Sequence, residues 1–150
     1  MIFSKTKIDG VVVIEAEPFI DDRGAFRRHF CQEEFARNNI VADVSQCNVS
    51  ENKYANTLRG FHYQLDPYSE GKTLSCLNGR IYDVVVDLRQ ESETFMQWFS
   101  IVLTKENRKN IYNLSEQDLI NATKKGASYA LNYPVNITQL KLPTESMEKF

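Results

Sequence analysis

The stretch KTLSCLNGRIYDVVVDL, residues 72–88, decides the fold class. Two runs rich in apolar and β-branched residues flank the pair Asn78-Gly79, and such side chains pack best on a pleated sheet. An Asn-Gly pair tolerates the two positive φ angles of a type I′ turn, so the stretch predicts a two-stranded hairpin. Outward from it the same texture repeats in KIDGVVVIEA (7–16), RGAFRRHF (23–30), ADVSQCNVS (42–50), TLRGFHYQL (57–65), MQWFSIVLT (96–104) and NITQLKL (136–142). Many short strands with turn residues between them indicate an all-β sandwich or a small barrel with a ligand site at its mouth. Helical signal is confined to QEEFARNN (32–39) and SEQDLINATKK (115–125), the second opened by Ser115 with Asp118 three residues on.

A chain of 150 residues, 42% hydrophobic and 25% charged, fits one globular domain over 1–150 with a buried core. No internal repeat or low-complexity tract divides it. The formal charge of −2 offers no broad basic footprint, which argues against nucleic acid and anionic membrane as partners and for a small molecule. The N-terminal apolar run VVVI (11–14) is far too short for a signal peptide core or a membrane span, so a soluble, cytoplasmic protein is expected. Three cysteines, Cys31, Cys47 and Cys76, are odd in number and lack CxxC spacing. They read as free thiols, buried or half-buried, and not as a disulfide framework or a zinc site.

Chemistry concentrates in QCNVSENKYANTLRGFHYQ, residues 46–64. The ordinary pKa of imidazole lies near neutrality, so His62 can exchange protons, and Arg59 supplies a permanent cation for a phosphate or a carbonyl oxygen. As a strand, TLRGFHYQL puts Arg59, Phe61 and Tyr63 on one face and Gly60, His62 and Gln64 on the other. A break at Gly60 would bring Arg59 and His62 to one pocket. Gln46, Asn48 and Ser50 share a face that is either a donor and acceptor row or the solvated side of a strand. Lys72 follows the turn EGK, and Asp83 and Asp87 bracket three valines with Arg89 two residues beyond. Each of these has a duller rival: a solvated lysine, strand-end charges, a surface ion pair. Arg23 in Asp-Asp-Arg-Gly reads equally as a turn residue, and His29 as structural. A metal-dependent site of two or three histidines with a carboxylate is a poor fit, because the chain has only His29 and His62.

Taken together, DDRGAFRRHF (21–30), QCNVSENKYANTLRGFHYQ (46–64) and GKTLSCLNGRIYDVVVDLRQESETFMQW (71–98) resemble the nucleotide-sugar 3,5-epimerases typified by dTDP-4-dehydrorhamnose 3,5-epimerase. The likeness runs over about residues 3–110 and joins DxRGxF, QxNxS, RGxHYQ, GK and GxxxDVxVDxR motifs in order. It implies a cupin-type double-stranded β-helix, or jelly roll, working as a homodimer without metal or cofactor. The implied substrate is a nucleotide-diphosphate 4-keto-6-deoxyhexose, in deoxysugar formation for a bacterial surface glycan such as the O-antigen of lipopolysaccharide. By the same resemblance His62 is the base, Lys72 stabilises the enolate, Arg59 lies near sugar or phosphate, Arg23 meets the diphosphate, and Gln46 and Asn48 line the pocket. An acid is expected to tune His62, and Asp83 is the candidate nearest in sequence.

Departures from the family pattern are equally specific. Arg28 stands where the family carries a glutamate against the nucleotide base; guanidinium only donates hydrogen bonds, so a thymidine preference does not follow. In place of a Pro-Gly then His-Gly-Phe segment the chain reads KKGASYAL (124–131), and the family's acid tyrosine falls near Leu142. Reprotonation would then come from water or from Tyr129 or Tyr133. The aspartate-bearing tail that orients the family histidine has no counterpart before Phe150. Three functions follow: a narrowed epimerase acting at one carbon or on an unusual sugar; a keto-sugar isomerase; or a non-catalytic relative that binds nucleotide sugar or only pairs with other proteins.

Overall fold

The computed structural model describes residues 1–59, 61, 62, 64, 68 and 70–113. Within them lie eight strands and one short helix: β1 (Ile2–Lys5), β2 (Val11–Glu15), β3 (Phe19–Asp21), β4 (Gly24–Phe26), α1 (Gln32–Arg37), β5 (Lys72–Ser75), β6 (Arg80–Val86), β7 (Trp98–Thr104) and β8 (Lys109–Asn113). The all-β expectation holds, and α1 falls inside the predicted 32–39 segment. The strands make a four-stranded sheet in the order β1-β2-β8-β5 and two two-stranded sheets, β3-β4 and β6-β7. No barrel closes among the described residues, contrary to the barrel-mouth expectation.

Strand alternation in the four-stranded sheet serves two cores. Val11 of β2 and Ile111 of β8 join Ile8, Cys76 and Leu103 of β7 in one cluster, with Leu74, Val85, Phe99 and Ile101 packed against it. This cluster fixes β6-β7 over the larger sheet. Ile14 and Tyr112, which point to the opposite face, pack with Phe35 of α1 and Ile40. The helix is short, yet it carries Glu33 and Glu34 in its first turn and Arg37 in its last, the distribution that complements a helix dipole. Among the described residues, Ile8, Ile14, Leu103 and Ile111 are the largest fully buried side chains, each contributing roughly 1.5–3 kcal/mol by burial.

The 72–88 hairpin is not formed. β5 pairs with β8, setting Leu74 opposite Ile111, whereas β6 pairs with β7, setting Asp83 opposite Ile101. A type I′ turn needs positive φ at Asn78 and Gly79, but of the two only Gly79 takes it, at +77°. The turn therefore carries the chain from one sheet to the other. Within 42–50 and 57–65, no described residue lies in a strand. Alternation supplies a sheet-compatible side-chain pattern but no backbone partner, and a strand exists only where its N–H and C=O groups find a neighbour. The predicted helix at 115–125, the strand at 136–142 and the candidate acids Tyr129 and Tyr133 lie outside the described residues. Of the free thiols, Cys76 is buried and Cys31 half-buried, but Cys47 is exposed, because the segment that carries it joins neither core.

A buried ion pair holds the loop after β6. Asp87 is 4% exposed, and it accepts hydrogen bonds from Arg89 Nε at 2.8 Å, Arg89 Nη2 at 2.8 Å, Ser92 Oγ at 2.6 Å and Thr94 Oγ1 at 2.6 Å. Burial alone would raise its pKa, but these donors reverse the effect and hold it far below the ordinary carboxylate range. The DLRxxSxT motif is thus a structural knot, with Asp87 in the interior and not in a surface pair.

Candidate active site

Register places polar residues on the inward faces of the two packed sheets, beside the core residues. Lys72 and Leu74 share a face of β5, and Leu74 packs into the core between the sheets, so Lys72 opens onto the same space at the strand's start. Asn113 is the cross-strand partner of both Lys72 and Val11 and shares its face with Ile111. On the opposing sheet, Asp83 alternates with the core residue Val85 and pairs with Ile101, which puts its carboxyl on the inner face too. Burial raises the Asp83 pKa above its ordinary value. Its Oδ2, like Oδ1 of Asn113, is buried and has no hydrogen-bond partner among the described residues.

A second group forms around Glu70. Lys72 Nζ lies 3.2 Å from Glu70 Oε1, and Gln46 Nε2 donates a long hydrogen bond of 3.4 Å to Glu70 Oε2. Glu70 so brings together two of the residues singled out from the sequence, Gln46, 24 positions before it, and Lys72. Sequence reasoning passed over Glu70 itself, although its place two residues before Lys72 was a usable signal. Arg59 donates from Nε to Asn52 Oδ1 at 2.7 Å. Asn48 and His62 are exposed, and no hydrogen bond joins Asp83 to His62 among the described residues.

Arg23 occupies the two-residue turn between β3 and β4, where Gly24 takes a φ of +134°. Its guanidinium donates to Asp21 Oδ2 from Nε at 3.1 Å and from Nη2 at 2.6 Å, and thereby lowers the Asp21 pKa. Arg28 donates to Glu34 Oε1 of α1 at 2.7 Å, so a carboxylate of the chain already takes the guanidinium that replaces the family glutamate. His29 Nε2 lies 3.3 Å from Ser75 Oγ, which ties its segment to β5 and agrees with a structural role. Desolvation and, to a smaller degree, Arg27 lower the His29 pKa. Among the described residues no group of three or more His, Cys, Asp or Glu is arranged to hold a metal ion, and no helix is long and apolar enough to cross a membrane.

Antiparallel sheets packed through a hydrophobic core, with polar residues at the ends of their inward faces, define the class as a β-sandwich. The dTDP-4-dehydrorhamnose 3,5-epimerase family model matches residues 5–115, and the chain belongs to that family. A relative of that name from Shigella flexneri is 38% identical over 110 residues, 72% of this chain and 60% of its own length. Among solved structures, dTDP-4-dehydrorhamnose 3,5-epimerase from Elizabethkingia anophelis superposes with a TM-score of 0.71 at 34% identity, covering 77% of this chain and 63% of that one. A 3'-monoepimerase from Streptomyces bikiniensis in complex with dTDP-quinovose gives 0.68 at 31% identity, covering 73% and 56%. The cupin-type jelly roll expected from the sequence is the fold of these relatives. The chain spans about three fifths of the length of the curated relatives it matches.

Proposed function

We propose that this chain is an epimerase of a nucleotide-diphosphate 4-keto-6-deoxyhexose, acting at one or both carbons beside the ketone. The observation that carries the reading is that register sets Lys72 of β5 and Asp83 of β6 on the inward faces of the two packed sheets, each beside residues of the shared core. A C–H bond next to a ketone breaks readily only if the electron pair left behind can spread onto the carbonyl oxygen as an enolate. An ammonium group aimed at that oxygen supplies the stabilisation, and a low-dielectric wall strengthens it. His62 takes the proton, Arg59 and Arg23 bind the diphosphate end, and Gln46 and Asn48 line the pocket. Return of a proton from the other face inverts the centre, with water or Tyr129 or Tyr133 as donor. The contact of Gln46 and Lys72 through Glu70 supports a single site built from the QxNxS and GK motifs.

One-carbon epimerisation is supported by the altered sequence after Asn113, and a 3'-monoepimerase stands among the similar solved structures beside the 3,5-epimerases. Homodimer formation is part of the reading, because Phe19, Ile20 and Phe26 of the β3-β4 hairpin are 69%, 61% and 80% exposed and an isolated two-stranded ribbon is marginal in water. Incubation in deuterated solvent with nucleotide-diphosphate 4-keto-6-deoxyhexoses tests the chemistry. Deuterium at one or both carbons beside the ketone, lost in His62→Ala, is expected. Nucleotide binding with no exchange in the wild-type chain would replace this reading with the non-catalytic one.

A further inference from the structure

Asn113 closes β8 at the point where it is flanked by Val11 on one side and Lys72 on the other. Directly opposed residues of an antiparallel pair point to the same side with their Cβ atoms about 5 Å apart, so the carboxamide stands beside the lysine on the inner wall. Its oxygen is buried and has no hydrogen-bond partner among the described residues. A carboxamide oxygen out of water without a donor is costly, and native structures keep such groups where a ligand or water supplies the missing bond. The wall around it offers no competing donor by register, since its neighbours along the strand and across it on this face are Ile111, Val11 and Lys72, the last paired with Glu70. The group that fits is an O–H donor carried by the molecule that Lys72 serves.

We propose that Asn113 is a specificity-determining residue of the sugar site, its Oδ1 accepting a hydrogen bond from a ring hydroxyl of the bound hexose. This assignment rests on the epimerase reading, and it makes the chain selective for a sugar bearing that hydroxyl. A site built around a buried acceptor discriminates against an analogue lacking the donor, because binding that analogue leaves the acceptor unpaired.

Calorimetric titration of the full chain with a nucleotide-diphosphate hexose and its 2-deoxy and 3-deoxy counterparts tests the contact. The wild type is expected to bind one of the deoxy sugars roughly tenfold more weakly than the parent, the net loss of one neutral hydrogen bond. In Asn113→Leu, affinity for the parent falls by the same factor and the distinction disappears, while the free nucleoside diphosphate binds as before. Asn113→Thr, which keeps an acceptor and suits a strand, recovers part of the distinction and covers the case in which the leucine variant does not fold. A wild type indifferent to both deoxygenations, or a folded Asn113→Leu that discriminates like the wild type, overturns the assignment and leaves the epimerase reading intact. A wild type that binds neither sugar nor nucleoside diphosphate overturns the epimerase reading and this assignment with it.

Discussion

At the scale of single residues, two aspartates four positions apart on one strand and its exit behave oppositely. Asp83 has its pKa raised by burial, so the folded chain resists its ionisation. The stability it withholds is absent below the ordinary value of 3.8 and grows as pH rises through the folded pKa. Asp83→Asn is therefore expected to raise the thermal midpoint at pH 7 and to flatten the decline in stability above about pH 4. An unchanged midpoint would mean that the buried carboxyl costs the fold nothing. Asp87 has a depressed pKa, so its contribution is complete above 3.8 and is lost as pH falls towards the folded value. Asp87→Ala removes the acceptor for Arg89, Ser92 and Thr94 together, and denaturant titration should show a loss of roughly 3–5 kcal/mol. The sequence marked both residues as strand-end acids. It could not rank them, because the donors that decide between a raised and a lowered pKa converge on Asp87 through a turn that spacing does not reveal.

At the scale of elements, Leu103 is the residue of β7 that carries the β6-β7 ribbon into the core of the larger sheet. Leu103→Ala should cost roughly 2–5 kcal/mol in chemical denaturation. Hydrogen exchange should be slowest in β2 and β8, the two strands flanked on both sides, and faster in the ribbons β3-β4 and β6-β7. Equal protection across all strands would show that the ribbons are paired by something beyond this chain's own sheets. Strand content was legible for 7–16, 72–79, 80–88 and 96–104, where valine, isoleucine and aromatic residues alternate. The pairing of β5 with β8 was not legible. KNIYN looks unremarkable alone and becomes a central strand only because Ile111 and Tyr112 each find a different core on either face of the sheet.

At the scale of the whole molecule, Phe19, Ile20 and Phe26 are three large apolar side chains exposed together on one two-stranded ribbon, the kind of surface a partner subunit covers. Light scattering coupled to size exclusion should give a dimer mass for the wild type and a monomer mass for Phe26→Ser; a monomeric wild type at micromolar concentration would refute the dimer. What the sequence determined by itself was local and chemical. Alternation gave the all-β class, and the ordered motifs around Arg23, Gln46, Asn48, Arg59, His62 and Lys72 gave the family, since both depend on residue types at short spacing. Only the tertiary structure decided which strands pair, that Asn78-Gly79 bridges two sheets, that Glu70 gathers Gln46 and Lys72, and that Asp83 and Asn113 face an interior with unsatisfied oxygens. Those are properties of long-range contact, and burial and hydrogen bonding between segments distant in sequence come into being only when the chain packs.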